Sequence, residues 1–109
     1  MADDVKIFDS LESLDEGVSG YGISLVDAWA TWCAPCRAFA PVFAAAAKKS
    51  ENGDITFAKV DVDKDPNVSA KYGIQAIPTL LIFKDGELID RHVGAMRGTD
   101  LENLLSDLR

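Results

Sequence analysis

A chain of 109 residues is long enough to bury a hydrophobic core, so we expect one domain over residues 1–109. Hydrophobic residues make up 48% of the sequence and charged residues 27%, without a low-complexity tract, which excludes the disordered and fibrous classes. The formal net charge of -7 repels nucleic acids and anionic lipids, so neither is expected as a partner.

The N-terminal residues contain neither a basic cluster nor an apolar run of the kind found in secretory signals. The longest stretch of low polarity, residues 38–47, contains Pro41 and is well short of the about 20 residues that a membrane span needs. We therefore expect a cytoplasmic protein without a membrane segment. A purely structural disulfide is not expected in such a reducing compartment.

Two strands and a helix are predicted before the first cysteine. Residues 5–8 form a short strand, and Asp9 or Ser10 then caps a weak helix that ends near Gly17. Residues 23–29 are almost continuously apolar, as is typical of a central strand covered on both faces. Asp27 interrupts this run, and the apolarity of the strand favours a buried side chain over a solvent-facing one.

A long helix is predicted after the cysteines, ending near Lys48 and Lys49. Pro41 lies inside this helix and is expected to kink it, because proline removes one backbone hydrogen bond and clashes with the preceding turn. The apolar stripe of the helix consists of Phe39, Val42, Phe43, Ala46 and Ala47.

The second half of the chain predicts a strand, a short helix and a hairpin. Residues 55–62 alternate like a strand, and residues 67–72 form the short helix. The strands at 79–83 and 88–93 flank Asp85-Gly86, a strong hairpin turn signal.

A final helix is expected to open with a capping box from Thr99 to Glu102. Its core stripe consists of Leu101, Leu104, Leu105 and Leu108. The order of all these elements predicts an α/β fold with a parallel region, an antiparallel extension and helices on both faces of the sheet.

The chain has two cysteines, Cys33 and Cys36, separated by Ala34 and Pro35. A structural disulfide that closes a four-residue loop would stabilise the fold by only about 2 kcal/mol, which is less than a disulfide across a longer loop provides. A structural zinc site needs four ligands, and the one histidine, His92, is remote in sequence and interpreted as a surface residue. The pattern therefore favours thiol–disulfide redox chemistry.

Cys33 is expected at the start of the helix, where unpaired amides and the helix dipole favour a thiolate, so Cys33 is the predicted nucleophile. Cys36, one turn along, is the predicted resolving cysteine. Neither Ala34 nor Pro35 adds a charge, so the thiol pKa is moderately lowered, which suits a reductant and makes both residues redox-tuning candidates. Arg37 either assists the thiolate or faces solvent, and the sequence leaves both readings open.

Several separated motifs match one family in order and spacing. They are Asp27 in a strand, Trp32-Cys-Ala-Pro-Cys36, Lys59 in the next strand, Ile77-Pro78-Thr79 and Val93-Gly94. Through these motifs the chain resembles the thioredoxin family from about Val5 to Leu108. The resemblance implies the thioredoxin fold, a central mixed five-stranded sheet flanked by four helices.

The resemblance also implies a protein-disulfide reductase that needs no bound cofactor or metal. It would act as a monomer on disulfide-containing proteins, recharged by thioredoxin reductase, an NADPH-dependent flavoprotein. Asp27 would lie behind the cysteines and accept the Cys36 proton through water, with Lys59 as its charge neighbour. Without the resemblance, the sequence favours a different interpretation of Lys59, as a solvated lysine at the edge of a strand.

The same resemblance places a cis peptide bond before Pro78, with the backbone of Ile77 available to pair with an extended substrate segment. The implied substrate platform consists of Trp32, Ile77, Pro78, Gly94 and Ala95. Trp32 is expected to be half exposed, whereas Trp29 is expected in the core.

Two residues depart from the family pattern: Ala34 stands where glycine is commonest, and Ala28 where an aromatic residue is usual. These departures leave the redox potential and the set of partners open. Two alternatives to a reductase are a binding module with incidental cysteines and a dedicated disulfide oxidant or isomerase of an oxidising compartment.

Overall fold

The computed structural model of the chain describes residues 4–109. Within this range the chain forms five strands and four α-helices, with a 3-10 turn at Ser50–Asn52. In chain order the elements are β1 (Val5–Phe8), α1 (Leu11–Gly17), β2 (Ile23–Trp29), α2 (Ala34–Lys48), β3 (Thr56–Asp61), α3 (Asn67–Tyr72), β4 (Thr79–Lys84), β5 (Glu87–Val93) and α4 (Gly98–Leu108).

The five strands form one sheet in the order β1-β3-β2-β4-β5. Strands β1, β3 and β2 are parallel, while β4 runs antiparallel to both β2 and β5. The predicted mixed sheet is therefore confirmed. Because β4 is antiparallel to β2, the first residue of β4, Thr79, lies opposite Ala28 near the end of β2.

Two hydrophobic cores lie on opposite faces of the sheet, as predicted. On one face the helical contribution comes from α1 and α3, through Leu14, Val68 and Tyr72. On the other face it comes from α2 and α4, through Phe39, Phe43, Leu101 and Leu105.

Strand β2 contributes to both cores because its side chains alternate between the two faces. Val26 and Ala28 belong to the core under α1 and α3, and Leu25 belongs to the core under α2 and α4. Asp27 therefore lies on the face that α2 covers, the helix that begins with the cysteines.

Three details of the helices differ from or add to the prediction. The predicted capping box at Thr99 is wrong, because α4 already begins at Gly98 with Arg97 as its N-cap, so Thr99 has helical backbone in the first turn. Ser10 is the N-cap of α1, and its side chain accepts a hydrogen bond from the Ser13 amide. Pro41 lies inside α2, which continues as one helix to Lys48.

Asn52 connects the end of α2 to the end of the chain. Its side chain is buried, with 1% of the residue exposed. Its Nδ2 donates to the carbonyl oxygen of Ala46 at 2.9 Å, and its Oδ1 accepts from the guanidinium of Arg109. A buried amide with both ends satisfied holds these segments together.

Asn52→Ala is expected to lower the free energy of unfolding by about 1–3 kcal/mol, because the Ala46 carbonyl and the Arg109 guanidinium both lose a partner. Urea unfolding measures the effect. Asn103→Ala, at an exposed position of α4, is the matched control and should stay within about 0.5 kcal/mol of the wild type. Equal midpoints for the two variants would contradict the assigned role of Asn52.

Candidate active site

Cys33 and Cys36 lie at the start of α2 and are joined by a disulfide, with their Cα atoms 5.2 Å apart. Cys33 is the N-cap, with extended backbone, and Cys36 lies in the first helical turn. Pro35 fits between them because the amides of the first turn have no partner inside the helix, so its missing N–H costs nothing there. The predicted position of both cysteines is confirmed.

The environment of the Cys33 sulfur favours negative charge. The amide of Cys36 donates to Cys33 Sγ at 3.2 Å, and the first turn of α2 contains no acidic residue. An N–H donor and the positive end of the helix dipole both stabilise a thiolate at this position. In the disulfide form the two residues are largely buried, with 4% of Cys33 and 2% of Cys36 exposed.

The start of β4 forms the opposite wall of the site. The Ile77–Pro78 peptide bond is cis, as expected, and the carbonyl oxygen of Ile77 lies 3.7 Å from Cys33 Sγ. The amide of Gly94 donates to the carbonyl oxygen of Pro78 at 2.8 Å, which attaches the end of β5 to the same wall. Ala95 follows Gly94 and is exposed.

Trp32 is the exposed aromatic residue beside the cysteines, with 67% of its surface accessible. Its indole Nε1 donates to Asp63 Oδ2 at 2.8 Å, so the ring is oriented by a carboxylate from the loop after β3. Together with Ile77, it lines a shallow cleft of about 310 Å³ that also includes Val62 and Ile74. The expected half-exposed Trp32 is confirmed.

Asp27 is buried on the α2 face of the sheet, with 3% of the residue exposed. Among the residues described, its Oδ1 has no hydrogen-bond partner. Burial raises the pKa of Asp27 to about 7, and the positive charge of Lys59 opposes this rise. The two residues are register partners on β2 and β3. The predicted burial of Asp27 is confirmed.

Lys59 is partly buried, and its Nζ lies 5.2 Å from the centroid of the Trp29 ring. It also lines a cleft of about 280 Å³ with Lys48 and Ala44. The expectation of a core Trp29 is wrong, because this residue ends β2 and is only partly buried.

Two contacts near the site lie outside the predicted set. One is the Asp63 carboxylate on Trp32, and the other is the Arg37 guanidinium, whose Nη1 donates to the carbonyl oxygen of Thr31 at 2.9 Å. Asp63 could have been found from its position, since it follows β3, which is parallel to β2 and ends at the same edge of the sheet. His92 is exposed, as predicted.

Within residues 4–109, no group of three or more His, Cys, Asp or Glu side chains is arranged to hold a metal ion. No helix in the same range is long and apolar enough to cross a bilayer.

Comparison with known proteins decides the family. A family model described as thioredoxin matches residues 7–107. The chain belongs to the thioredoxin family. Thioredoxin from Staphylococcus haemolyticus is 43% identical over 101 residues, which cover 93% of this chain and 93% of that protein. Thioredoxin from Staphylococcus saprophyticus is 44% identical over 90 residues, which cover 83% of each.

Solved thioredoxin structures have the same fold. The structure of Malassezia sympodialis thioredoxin superposes with a TM-score of 0.87 at 33% identity, over 95% of this chain and 90% of that one. Plasmodium falciparum thioredoxin gives a TM-score of 0.87 at 32% identity, over 96% of this chain and 100% of that one. This thioredoxin family member is a thiol–disulfide oxidoreductase that acts on protein disulfides through the redox-active pair Cys33 and Cys36.

Proposed function

We propose that the chain, acting as one domain over residues 1–109, reduces protein disulfides in two exchange steps, with Cys33 as nucleophile and Cys36 as resolving thiol. The observation that carries this assignment is the hydrogen bond from the Cys36 amide to Cys33 Sγ at the N-terminus of α2. Among the contacts of residues 4–109, the Cys33 sulfur alone receives a helix-start amide, so Cys33 is the cysteine that ionises more easily.

In the first step, the Cys33 thiolate attacks one sulfur of the substrate disulfide. A mixed disulfide forms between Cys33 and the substrate, and the second substrate sulfur leaves as a thiolate that takes a proton from water. In the second step, the Cys36 thiolate attacks Cys33 Sγ. The bond between Cys33 Sγ and the substrate sulfur breaks, and the substrate leaves as a thiolate that takes a proton from water. The substrate is then fully reduced, and the enzyme keeps the Cys33–Cys36 disulfide seen in the structure.

Cys36 must lose its proton before the second step, and Asp27 is the proposed acceptor, through a water molecule. A base is most effective when its pKa lies near the working pH, and burial raises the pKa of Asp27 to about 7. Asp27 lies on the sheet face that α2 covers, and its Oδ1 has no other partner among the residues described. Lys59 opposes the rise in the pKa of Asp27 and so keeps part of the carboxyl ionised at neutral pH.

The substrate is proposed to bind as an extended segment along the backbone of Ile77, whose carbonyl oxygen faces Cys33 Sγ. The apolar platform for this segment consists of Trp32, Ile77, Pro78, Gly94 and Ala95. The exposed Trp32 ring provides its largest apolar surface. Ala34 and Pro35, the proposed redox-tuning residues, bring no charge to the first turn of α2, which fits a moderately stabilised Cys33 thiolate and so a reductant.

The oxidised enzyme needs electrons, and we propose that an NADPH-dependent flavoprotein thioredoxin reductase supplies them. The protein would act as a monomer in the cytoplasm, where a reducing environment maintains the dithiol form.

The test is insulin-disulfide reduction coupled to NADPH through a thioredoxin reductase, with wild type and Cys36→Ser. The wild type should turn over, whereas Cys36→Ser should stop at a mixed disulfide visible by non-reducing mass spectrometry. A wild type without turnover that still binds its partner would instead support a binding module. A wild type that oxidises dithiols faster than it reduces insulin would indicate an oxidant or isomerase.

A further inference from the structure

Arg91 on β5 donates a hydrogen bond to the last residue of α3. Its Nε lies 2.8 Å from the carbonyl oxygen of Tyr72, and its Nη2 would lie 3.5 Å from a Cβ placed on Gly73. Arg91 pairs with Leu81 on β4, and Leu81 belongs to the core under α1 and α3. Because directly opposed residues share one face of a sheet, the Arg91 side chain reaches α3 from the strand.

This hydrogen bond satisfies a group that the helix leaves free. The last carbonyl groups of a helix have no partner inside it, and a cation at this end is also favourable for the helix dipole. Helix α3 has six residues, and the amides of Gly73 and Ile74 both donate to the carbonyl oxygen of Ser69. The Arg91 guanidinium adds a tie to the strand at the point where the chain leaves α3.

The segment that follows, residues 73–77, belongs to the active site. Residues 74–77 line the cleft beside Trp32, and the carbonyl oxygen of Ile77 faces Cys33 Sγ. The segment is neither helix nor strand. Its position therefore depends on the contacts at its two ends.

Strand β5 provides a contact at each of these ends. Arg91 holds the α3 end through Tyr72, and Gly94, which directly follows β5, donates to the carbonyl oxygen of Pro78 at 2.8 Å. Because both contacts come from one strand, β5 fixes the distance between the two ends of the segment. Removal of the Arg91 side chain releases the α3 end and leaves the Gly94 contact in place.

We propose that Arg91 is a positioning residue for protein substrates: its hydrogen bond to the end of α3 holds residues 73–77 in the shape that accepts an extended substrate segment. This inference rests on the proposed binding of substrate along the backbone of Ile77. A small disulfide needs only to reach the Cys33 sulfur, so its reduction does not depend on the shape of residues 73–77.

The experiment compares two disulfides, insulin and the small uncharged dithiodipyridine, each mixed with the pre-reduced protein at pH 7. Arg91→Met should lower the second-order rate constant for insulin by roughly 5-fold and leave that for dithiodipyridine within about 1.5-fold of the wild type. Arg91→Lys keeps a cation at the end of α3 without the planar guanidinium, so its insulin rate constant should lie between the other two. A loss of stability alone would change neither rate constant at a temperature where every variant is folded.

Amide hydrogen exchange reports on the segment directly. The amides of residues 74–77 should exchange faster in Arg91→Met than in the wild type, whereas those of α2 should exchange at the wild-type rate, because their contacts are unchanged. Wild-type exchange at residues 74–77 in Arg91→Met would overturn the proposal.

Lys84→Met is the matched control for the kinetics. Lys84 is exposed and ends β4 at the opposite end of the strand from Thr79, and the variant has the same net charge as Arg91→Met. Its two rate constants should equal those of the wild type. An unchanged insulin rate constant in Arg91→Met, or an equal loss with both disulfides, would overturn the proposal. A wild type unable to reduce insulin would overturn the proposed function instead.

Discussion

The Asp27→Ala variant is expected to be more stable than the wild type at pH 8 and slightly less stable at pH 4, where the carboxyl is mostly protonated and the cavity left by the variant outweighs the gain. The reason is the raised pKa of the buried carboxyl, about 7 in the fold against 3.8 normally. The native state binds this proton more tightly than the unfolded chain does, so the wild type loses stability as the pH rises from about 3.8 to about 7. Above pH 7 the loss is complete and constant.

The size of the effect follows from the linkage between pKa and stability. Since one pKa unit corresponds to about 1.4 kcal/mol, the ionised carboxylate destabilises the fold by about 4 kcal/mol at pH 8. Removing the side chain leaves a small cavity that costs about 1–2 kcal/mol. Asp27→Ala should therefore gain about 2–3 kcal/mol at pH 8.

Urea unfolding at several pH values between 4 and 8 measures the difference between the variant and the wild type. Asp107→Ala, at an exposed position of α4, is the matched control, and its difference from the wild type should not vary over this range. A flat difference curve for Asp27→Ala, or a lower urea midpoint than the wild type at pH 8, would refute the prediction.

The same variant should also prolong the mixed disulfide, because the proposed acceptor of the Cys36 proton is gone. Quenched-flow trapping of the mixed disulfide at pH 7 reports its lifetime. If Asp27→Ala gains stability but the mixed disulfide does not live longer, Asp27 takes no part in the resolution of the mixed disulfide by Cys36.

Cys33→Ser is expected to reduce the coupled insulin assay to the rate measured with reductase and NADPH alone. A serine hydroxyl cannot form a disulfide, and Cys36 has 2% of its surface exposed and receives no such amide. Mass spectrometry should detect no mixed disulfide in this variant, in contrast to Cys36→Ser. The asymmetry between the two variants is the result that identifies the attacking sulfur. A substrate trapped on Cys36 in Cys33→Ser would reverse the assigned roles.

Much of the fold could be predicted because its elements follow local patterns. The apolar run of β2, the stripe of α2 and the hairpin turn at Asp85-Gly86 each depend on residues close together in sequence. The start of α4 could not be predicted in this way. Thr99 and Glu102 fit a capping pattern, but Arg97 takes the extended backbone of the N-cap, so the helix starts earlier than the pattern indicates.

Residue patterns alone predict the site where the cysteine motif fixes it, and the Ile77–Pro78 wall was predicted only through the family resemblance. The bond from Trp32 to Asp63 spans 31 residues, and the approach of Ile77 to Cys33 spans 44. Such contacts depend on strand order and register, which no local pattern specifies. The partial exposure of Trp29 likewise depends on its place at the end of β2.

The antiparallel pairing of β4 with β2 has a further consequence. The nucleophile belongs to the segment after β2, and the wall that faces it belongs to the segment before β4, so the pairing of these two central strands is what brings the two halves of the site into contact. A chain in which β2 and β4 are not yet paired therefore has the cysteine segment without the wall that faces it. The complete site forms only when the central sheet forms.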